Sequence, residues 1–470
     1  MNSASQPVIR VIGAGPTGSL LAILLQRRGF EIELYESRAD PRHVHAESGR
    51  SINLALADRG IHALKAAGIF DDLVPALLPM RGRLIHYENL DTAFQPYGQR
   101  PNEVIYSVSR HRLNQALIEV AAKLPGVHLH FKHRLESADF ASNQAHVRDL
   151  QGDRLITLPM QPLLATDGAG SLMRREMSGK GLIQAAERDL EHGYKELLIP
   201  AAPGGGFRMA KDALHIWPRG NFMLIALPND DGSFTATLFL QKRGPLSFES
   251  LRDAAAVEAF LSRRFPDAFA LMPNAITEFS AHPTGFLGTV FASPWYAGSQ
   301  AASHTPSHSA AQAALIGDAA HAMVPFHGQG MNCCFEDCIE FDACVARHSP
   351  RGHSSWETVF AEFFASRKPN TDAIAAMALE NYQEMRESVA DPAFQLRQAL
   401  SLELERRFPR RFIPRYSMVM FHHDIPYLTA LERGTVQTAI LCDLTRGAAQ
   451  LSDVDFGRAQ MQVEARLPPI

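Results

Sequence analysis

The chain has 470 residues, 46% of them hydrophobic and 20% charged, enough to bury a large core divided over two or three domains. Its net charge of -4 gives no basic footprint for nucleic acid, and the apolar stretch Leu20 to Leu25 runs into Arg27 and Arg28, well short of the ~18–20 residues of a spanning helix. These features argue against a nucleic-acid binder, a membrane anchor and a secretory signal, and they predict a cytoplasmic protein.

At the start, Val8 to Ile12 predicts a strand, and Gly13-Ala14-Gly15-Pro16-Thr17-Gly18 a turn into the helical run Ser19 to Arg28. Gly13 allows the tight turn, Gly15 lets the backbone approach a pyrophosphate, and Gly18 lets helix and strand pack closely. Glu31 to Glu36 alternates like a second strand and ends on an acid, where the ribose hydroxyls of a dinucleotide need an acceptor. A lone Gly-x-Gly-x-x-Gly is weak; with the flanking strand, the helix and Glu36 in register it reads as a dinucleotide-binding fold.

Ser51 to Leu56 and a helix near Arg112 to Ala122 continue the alternation, which runs to about Lys180. Pro162 to Gly168 is a further buried-looking strand that ends in Asp167-Gly168. From about Gly193 to Pro283 the character changes. His215 to Trp217, Phe222 to Leu227 and Phe234 to Leu240 predict antiparallel strands punctuated by Pro, Gly and Asn turns. Such a sheet, inserted between cofactor segments, is a natural roof for a substrate cavity.

Ser303 to Ser309 reads as a polar loop. The strand Leu315-Ile316 then ends in Gly317-Asp318, and Pro325 and the turn Gly328 to Asn332 follow. A carboxylate and bare backbone N–H groups at one sheet edge suit a ribityl chain and a pyrophosphate. Several distant segments gripping one dinucleotide point to a resident flavin rather than to an exchangeable nicotinamide.

After Asn332 the pattern is helical, with Trp356 to Phe364 and Ala373 to Met385 separated at Pro369. Cys333, Cys334, Cys338 and Cys344 crowd one predicted helix without a matching ligand pair at metal-finger spacing, which predicts buried reduced thiols and no metal site. Arg406, Arg407, Arg410 and Arg411 beside Glu403 and Glu405 read as local ion pairs on a solvated face.

Taken together, the Gly13 fingerprint, Asp167-Gly168 and Gly317 to His321 with Pro325 resemble the single-component FAD-dependent aromatic hydroxylases, the group that includes para-hydroxybenzoate hydroxylase. Longer strings are similar to the soluble bacterial branch of that group that acts on L-kynurenine: Gly49 to Ala57, Met80 to Arg83, Gln95 to Gly98, Gly193 to Leu197, Pro325 to Asn332, Met377 to Tyr382 and Arg411 to Met418. The resemblance covers nearly the whole chain. It implies an α/β fold: a Rossmann-like FAD-binding domain of the para-hydroxybenzoate hydroxylase type at 1–180 and 290–375, an inserted antiparallel β-sheet substrate domain at 181–289, and a C-terminal helical region at 376–470. It also implies FAD as resident cofactor, NADPH and O2 as co-substrates, and hydroxylation of L-kynurenine through a flavin C4a-hydroperoxide. Another anionic aromatic, such as a benzoate or phenol, is the alternative substrate, and a homodimer is left open.

Carried over position by position, the resemblance implies that Arg83 and Tyr97 hold the substrate carboxylate, with Asn381 and Tyr416 at the same end. An arginine fork matches a carboxylate bidentately; on the residues alone, Arg83 reads rather as a surface ion pair and Tyr97 as a core aromatic. Leu214, Met223, Leu224, Ile225 and Phe239 are expected to line a ring slot, and Pro325, Phe326 and His327 to meet the flavin, His327 without a proton-transfer role. The implied cofactor set is Gly13, Gly15, Gly18, Glu36, Arg38, Ala57, Arg110, Asp167, Asp318, Gly330, Met331 and Asn332. Thr166 and Val324 stand where the wider group often has Ala and Pro.

Overall fold

Ile9–Ile12 is an inner strand of a six-stranded sheet whose order is Tyr296–Ala297, Ala313–Leu315, Leu163–Ala165, Ile9–Ile12, Ile32–Glu36, Val127–Phe131. All neighbours in it are parallel except Tyr296–Ala297. The computed structural model describes residues 8–43, 53–298, 313–348, 353–385 and 391–470; the expected features at Gly49 to Ile52 and at Ser303 to Ser309 lie outside these. Ile9, Val11, Ile32, Leu34, Leu163, Leu164 and Leu315 are fully buried, as strands covered on both faces require. The helices Pro16–Arg27 and Arg110–Lys123 pack on the sheet, with Gly330–His348 against the first of them, and the strand His133–Asp139 of a three-stranded sheet meets Ile32–Glu36. Pro16 starts its helix where a missing N–H costs nothing.

Strand ends, not strands, matter for function. Ile12 pairs with Ala165, and Ala165 with Leu315. Three segments far apart in sequence therefore leave the same edge of the sheet side by side: Gly13 onward, Thr166-Asp167 and Ile316 to Asp318. Ligands of open α/β sheets bind outside the carboxyl ends of parallel strands.

A second six-stranded sheet runs in the order His192–Ile199, Phe234–Gln241, Met223–Pro228, Ala213–Pro218, Gly82–His86, Thr92–Pro96. It is mixed rather than wholly antiparallel, because Gly82–His86 joins Ala213–Pro218 in parallel. Those last two strands come from inside the interval expected to belong to the cofactor domain. Their short pattern carries no sign of the partner strand that recruits them. On one face, Leu197, Trp217, Leu224, Phe234, Ala236 and Leu238 pack against the helices Ala254–Arg264, Pro266–Phe269 and Ala275–Ala281.

The remaining helices, Pro392–Arg407, Arg415–Phe421, Tyr427–Leu444 and Phe456–Arg466, follow the long helix His353–Gln383. That helix runs through Pro369 instead of breaking there. A proline inside a helix costs about 3 kcal/mol; beside it, Asn370 Nδ2 donates to the Ser366 carbonyl (3.0 Å) and Thr371 Oγ1 to that of Lys368 (3.1 Å). Arg406 and Arg407 both pair with Glu403, as the charge pattern predicts. Among the described residues no helix is long and apolar enough to cross a membrane.

Candidate active site

At the first strand end, backbone crowding explains two glycines and open space the third. A Cβ on Gly13, whose φ is +104°, would lie 2.5 Å from the Thr166 carbonyl oxygen, and one on Gly18 would lie 2.0 Å from that of Gly13. Nothing stands within 4 Å of a Cβ on Gly15. Thr166 fits the turn because its hydroxyl donates to the carbonyls of Ile12 (3.0 Å) and Gly13 (2.8 Å). Glu36 accepts from the Ala14 N–H (2.9 Å) and from Arg38 Nε (2.8 Å). Burial works against its charge, but Arg38 outweighs burial and holds the carboxyl below its usual range. At Asp167 burial wins and raises the carboxyl; Oδ2 accepts from the Leu172 N–H (2.8 Å), whereas the buried Oδ1 has no partner.

These residues line a cavity of about 780 Å³ that holds Gly13, Gly15, Glu36, Arg38 and Asp167 in its wall. A second cavity, of about 630 Å³, runs from Asp318, Gly330 and Met331 to Arg83, Tyr97 and Tyr416. Arg110, Gly170 and Arg175 line both, so the two adjoin end to end. Gly330 and Met331 begin a 19-residue helix, whose first N–H groups and dipole favour anionic atoms. Gly18, Ala57 and Asn332 are absent from the lining. Asn332 instead staples the wall, accepting from the Ala57 N–H (2.9 Å) and donating to the carbonyls of Ala55 and Gly328 (2.8 Å each). Arg174, which the sequence reading missed, is buried and ties the second and third strand-end segments together by donating to the Ala169 (2.5 Å) and Ala319 (2.9 Å) carbonyls.

The second sheet roofs the far part of the second cavity with alternate side chains. Leu214 is the cross-strand partner of Arg83, and Ile225 that of Thr237. Leu214, Ile225, Phe239 and Arg83 all line the cavity. Met223 shares their face but is fully buried in a cluster with Phe239, Phe326 and Tyr382 and does not reach the opening. Leu224 points the other way, into the core against the helices, because a residue next to Ile225 in a strand must face the opposite side. Pro325, Phe326 and His327 line the cavity from the opposite wall. Asn381 does not; its Nδ2 donates to the Phe326 carbonyl (2.6 Å) and so fixes that wall from behind.

Arg83 is buried at 8% exposure, with its guanidinium 4.9 Å from the ring centre of Tyr416 and 5.9 Å from that of Tyr97. The two tyrosine rings stack at 5.6 Å. Burial disfavours the charge on Arg83, but Tyr416, Tyr97 and Glu384 reverse the effect and keep it firmly protonated. Its Nε has no hydrogen-bond partner. Glu384, 3.8 Å from Arg83 Nη1, is a second group absent from the sequence expectations; burial raises its carboxyl, with Arg83 pulling the other way. Its signal was a carboxylate four residues after Glu380, just past the end of the helix His353–Gln383. Burial pushes His327 down to about 3, so it is a neutral ring stacked on Tyr416 (5.4 Å) and a poor proton acceptor.

Four cysteines, Cys333, Cys334, Cys338 and Cys344, are buried free thiols, their acidities suppressed by burial. His321, Cys333 and Asp337 approach one another closely enough to hold a cation. The Arg367 guanidinium already supplies the positive charge there, with its Nε 2.7 Å from Asp337.

Residues 5–219 match the FAD binding domain family. Kynurenine 3-monooxygenase of Stenotrophomonas maltophilia is 46% identical over 460 residues, covering 98% of this chain and 97% of that protein. The enzyme of the same name from Myxococcus xanthus is 44% identical over 469 residues, covering 100% and 97%. Among solved structures, the tetrameric form of 2-methyl-3-hydroxypyridine-5-carboxylic acid oxygenase superposes with a TM-score of 0.61 at 17% identity, over 86% of this chain and 98% of that one. p-Nitrophenol 4-monooxygenase from Pseudomonas putida gives 0.61 at 18% identity, over 84% and 93%. The last two likenesses concern the fold.

Proposed function

The chain belongs to the kynurenine 3-monooxygenase family of FAD-dependent hydroxylases, and on that premise we propose that it converts L-kynurenine to 3-hydroxykynurenine with NADPH and O2, in the cytoplasm. The observation that carries the reading is a buried, protonated arginine with an unpartnered Nε on the same sheet face as an apolar slot, at the far end of two adjoining cavities that begin at three cofactor-type strand ends.

The residues fit an FAD: the open space at Gly15, the unpartnered Asp167 Oδ1 and the Asp318 carboxylate in the wall of the second cavity suit a pyrophosphate approach, a hydroxyl donor and a ribityl chain in that order. When bound and reduced, FAD supplies the activation of O2. Everything else falls to the protein. Arg83 takes the substrate carboxylate as a fork, with the Tyr97 and Tyr416 hydroxyls beside it, and Glu384 meets the α-ammonium. Leu214, Ile225 and Phe239 against Pro325 and Phe326 hold the ring flat and exclude water, which orients one ring carbon and protects reactive oxygen from release as H2O2.

An arylamine ring is electron-rich without losing a proton, whereas a phenol needs an acceptor to become so. The neutral, weakly basic His327 favours the arylamine. The test is direct: FAD-loaded protein should oxidise NADPH in response to L-kynurenine and form a product heavier by one oxygen atom. NADPH oxidation that ignores kynurenine and gives no hydroxylated product would refute the reading.

A further inference from the structure

Opposite the Arg83 pole, the cavity has a second polar pole that the reading above leaves unused. Glu196 lies on the strand His192–Ile199, at the other side of the roof sheet, and lines the cavity. Its cross-strand partner is Thr237, which is in turn the partner of Ile225, so the order along one row of the roof is carboxylate, hydroxyl, ring-slot isoleucine. Thr237 also lines the cavity. The Glu196 carboxylate makes no hydrogen bond or ion pair among the described residues. Its backbone carbonyl alone is taken, by His282 Nδ1 at 2.8 Å. Half-buried carboxylates are costly without a donor, and burial raises this one, with His282 pulling the other way.

Geometry limits what the donor can be. Three strand steps, roughly 14 Å at the usual spacing, separate the strand of Arg83 from that of Thr237, and the rows differ by two residues, because Thr237 and Ile225 lie in the row of Ile216 and Ile85 whereas Arg83 pairs with Leu214. The diagonal from Arg83 to Thr237 passes Leu214 and Ile225, both apolar and both lining the cavity. A ligand held at Arg83 by its carboxylate and lying along that diagonal points its ring toward Thr237 and Glu196.

We infer that Glu196, with Thr237 beside it, accepts hydrogen bonds from the amino group on the substrate's aromatic ring and thereby selects aminoaryl over unsubstituted aryl ligands. The inference rests on the function proposed above. It makes the cavity bipolar: a cation for the carboxylate at one end, an anion for the arylamine at the other, and hydrocarbon between. A charge-assisted hydrogen bond in an apolar setting is worth enough to give selectivity of about tenfold or more.

The test compares L-kynurenine with benzoylalanine, the same molecule lacking the ring amine, by calorimetric titration of the FAD-loaded enzyme. Wild type is expected to favour kynurenine about tenfold. The E196M variant, near in shape but without an acceptor, is expected to lose that preference by weakening kynurenine alone, with benzoylalanine within about twofold of wild type; E196Q keeps an acceptor and should fall between. Flavin absorbance and melting temperature establish that each variant is folded, and T237V provides a milder change at the same pole. An unchanged affinity ratio in both folded E196M and T237V would overturn the inference. Wild type that binds neither compound would instead sink the underlying function, and the two failures are distinct.

Discussion

Leu214 and Arg83 are parallel cross-strand partners, so the residue that flanks the ring slot and the residue that ends it are fixed side by side by backbone hydrogen bonds. Neither depends on a loop for its position. A site held on strands keeps its geometry without paying ordering entropy when ligand arrives.

Replacing Arg83 by Met should raise the kynurenine Kd by about 30-fold to several thousandfold, since truncating one member of a buried charged contact costs about 2–5 kcal/mol. Flavin content should be unaffected. Glu384 would be left partly buried with Arg415 but without Arg83 to offset its charge, so R83M/E384Q is expected to melt above R83M. A kynurenine affinity for R83M equal to wild type would disprove the clamp.

The glycines of the first turn should separate by mechanism. G18A introduces a Cβ that meets backbone and should destabilise the fold itself, visible as a lowered melting temperature without any flavin. G15A has room in the protein; its apoprotein should melt like wild type, yet bind FAD weakly. Equal melting of both apoproteins would contradict the crowding at Gly18.

Asp337 accepts from His321 Nε2 (2.5 Å), Arg367 Nε (2.7 Å) and the Gly317 N–H (3.2 Å). Burial pushes its carboxyl up, but His321 and Arg367 prevail and hold it below its usual value. A depressed carboxyl contributes stability above the unfolded-state pKa, near 4, and loses it as pH falls through the folded value. D337N should therefore cost about 3–5 kcal/mol at pH 7, with the gap to wild type narrowing below about pH 4. Denaturant titrations across that range check the sign.

Adjacent residues on one strand should give opposite phenotypes. L224A opens a void in the helix-covered core and should lose about 2–5 kcal/mol of stability, with KM for kynurenine little changed. I225A removes a slot wall and should raise KM while sparing the melting temperature. Matching effects from the two would mean the alternation is misassigned.

Much of the architecture was legible because it is local. The strand-turn-helix at Gly13 and the three apolar runs ending in Gly or Asp announce themselves by composition, and the cofactor edge follows from them. The substrate wall was legible only in part. Alternation tells that Leu224 and Ile225 face opposite ways, but not which faces the cavity. Long-range pairing decides that, as it decides that Gly82–His86 leaves its neighbours in sequence to join Ala213–Pro218. Asn381 and Asn332 were legible as important polar residues, yet their hydrogen bonds to Phe326, Ala55 and Gly328 make them braces of the wall. Pro369 misled because proline's cost is local, while packing along a 31-residue helix is not.

The recruitment of Gly82–His86 into the roof sheet constrains engineering. A graft of residues 181–289 from a relative with different taste would import the lid but keep the native anchor, since the arginine travels with the other half of the polypeptide. Changing selectivity by chimera thus demands two simultaneous transplants, the 82–96 hairpin together with the insert, cut so that their shared parallel seam survives.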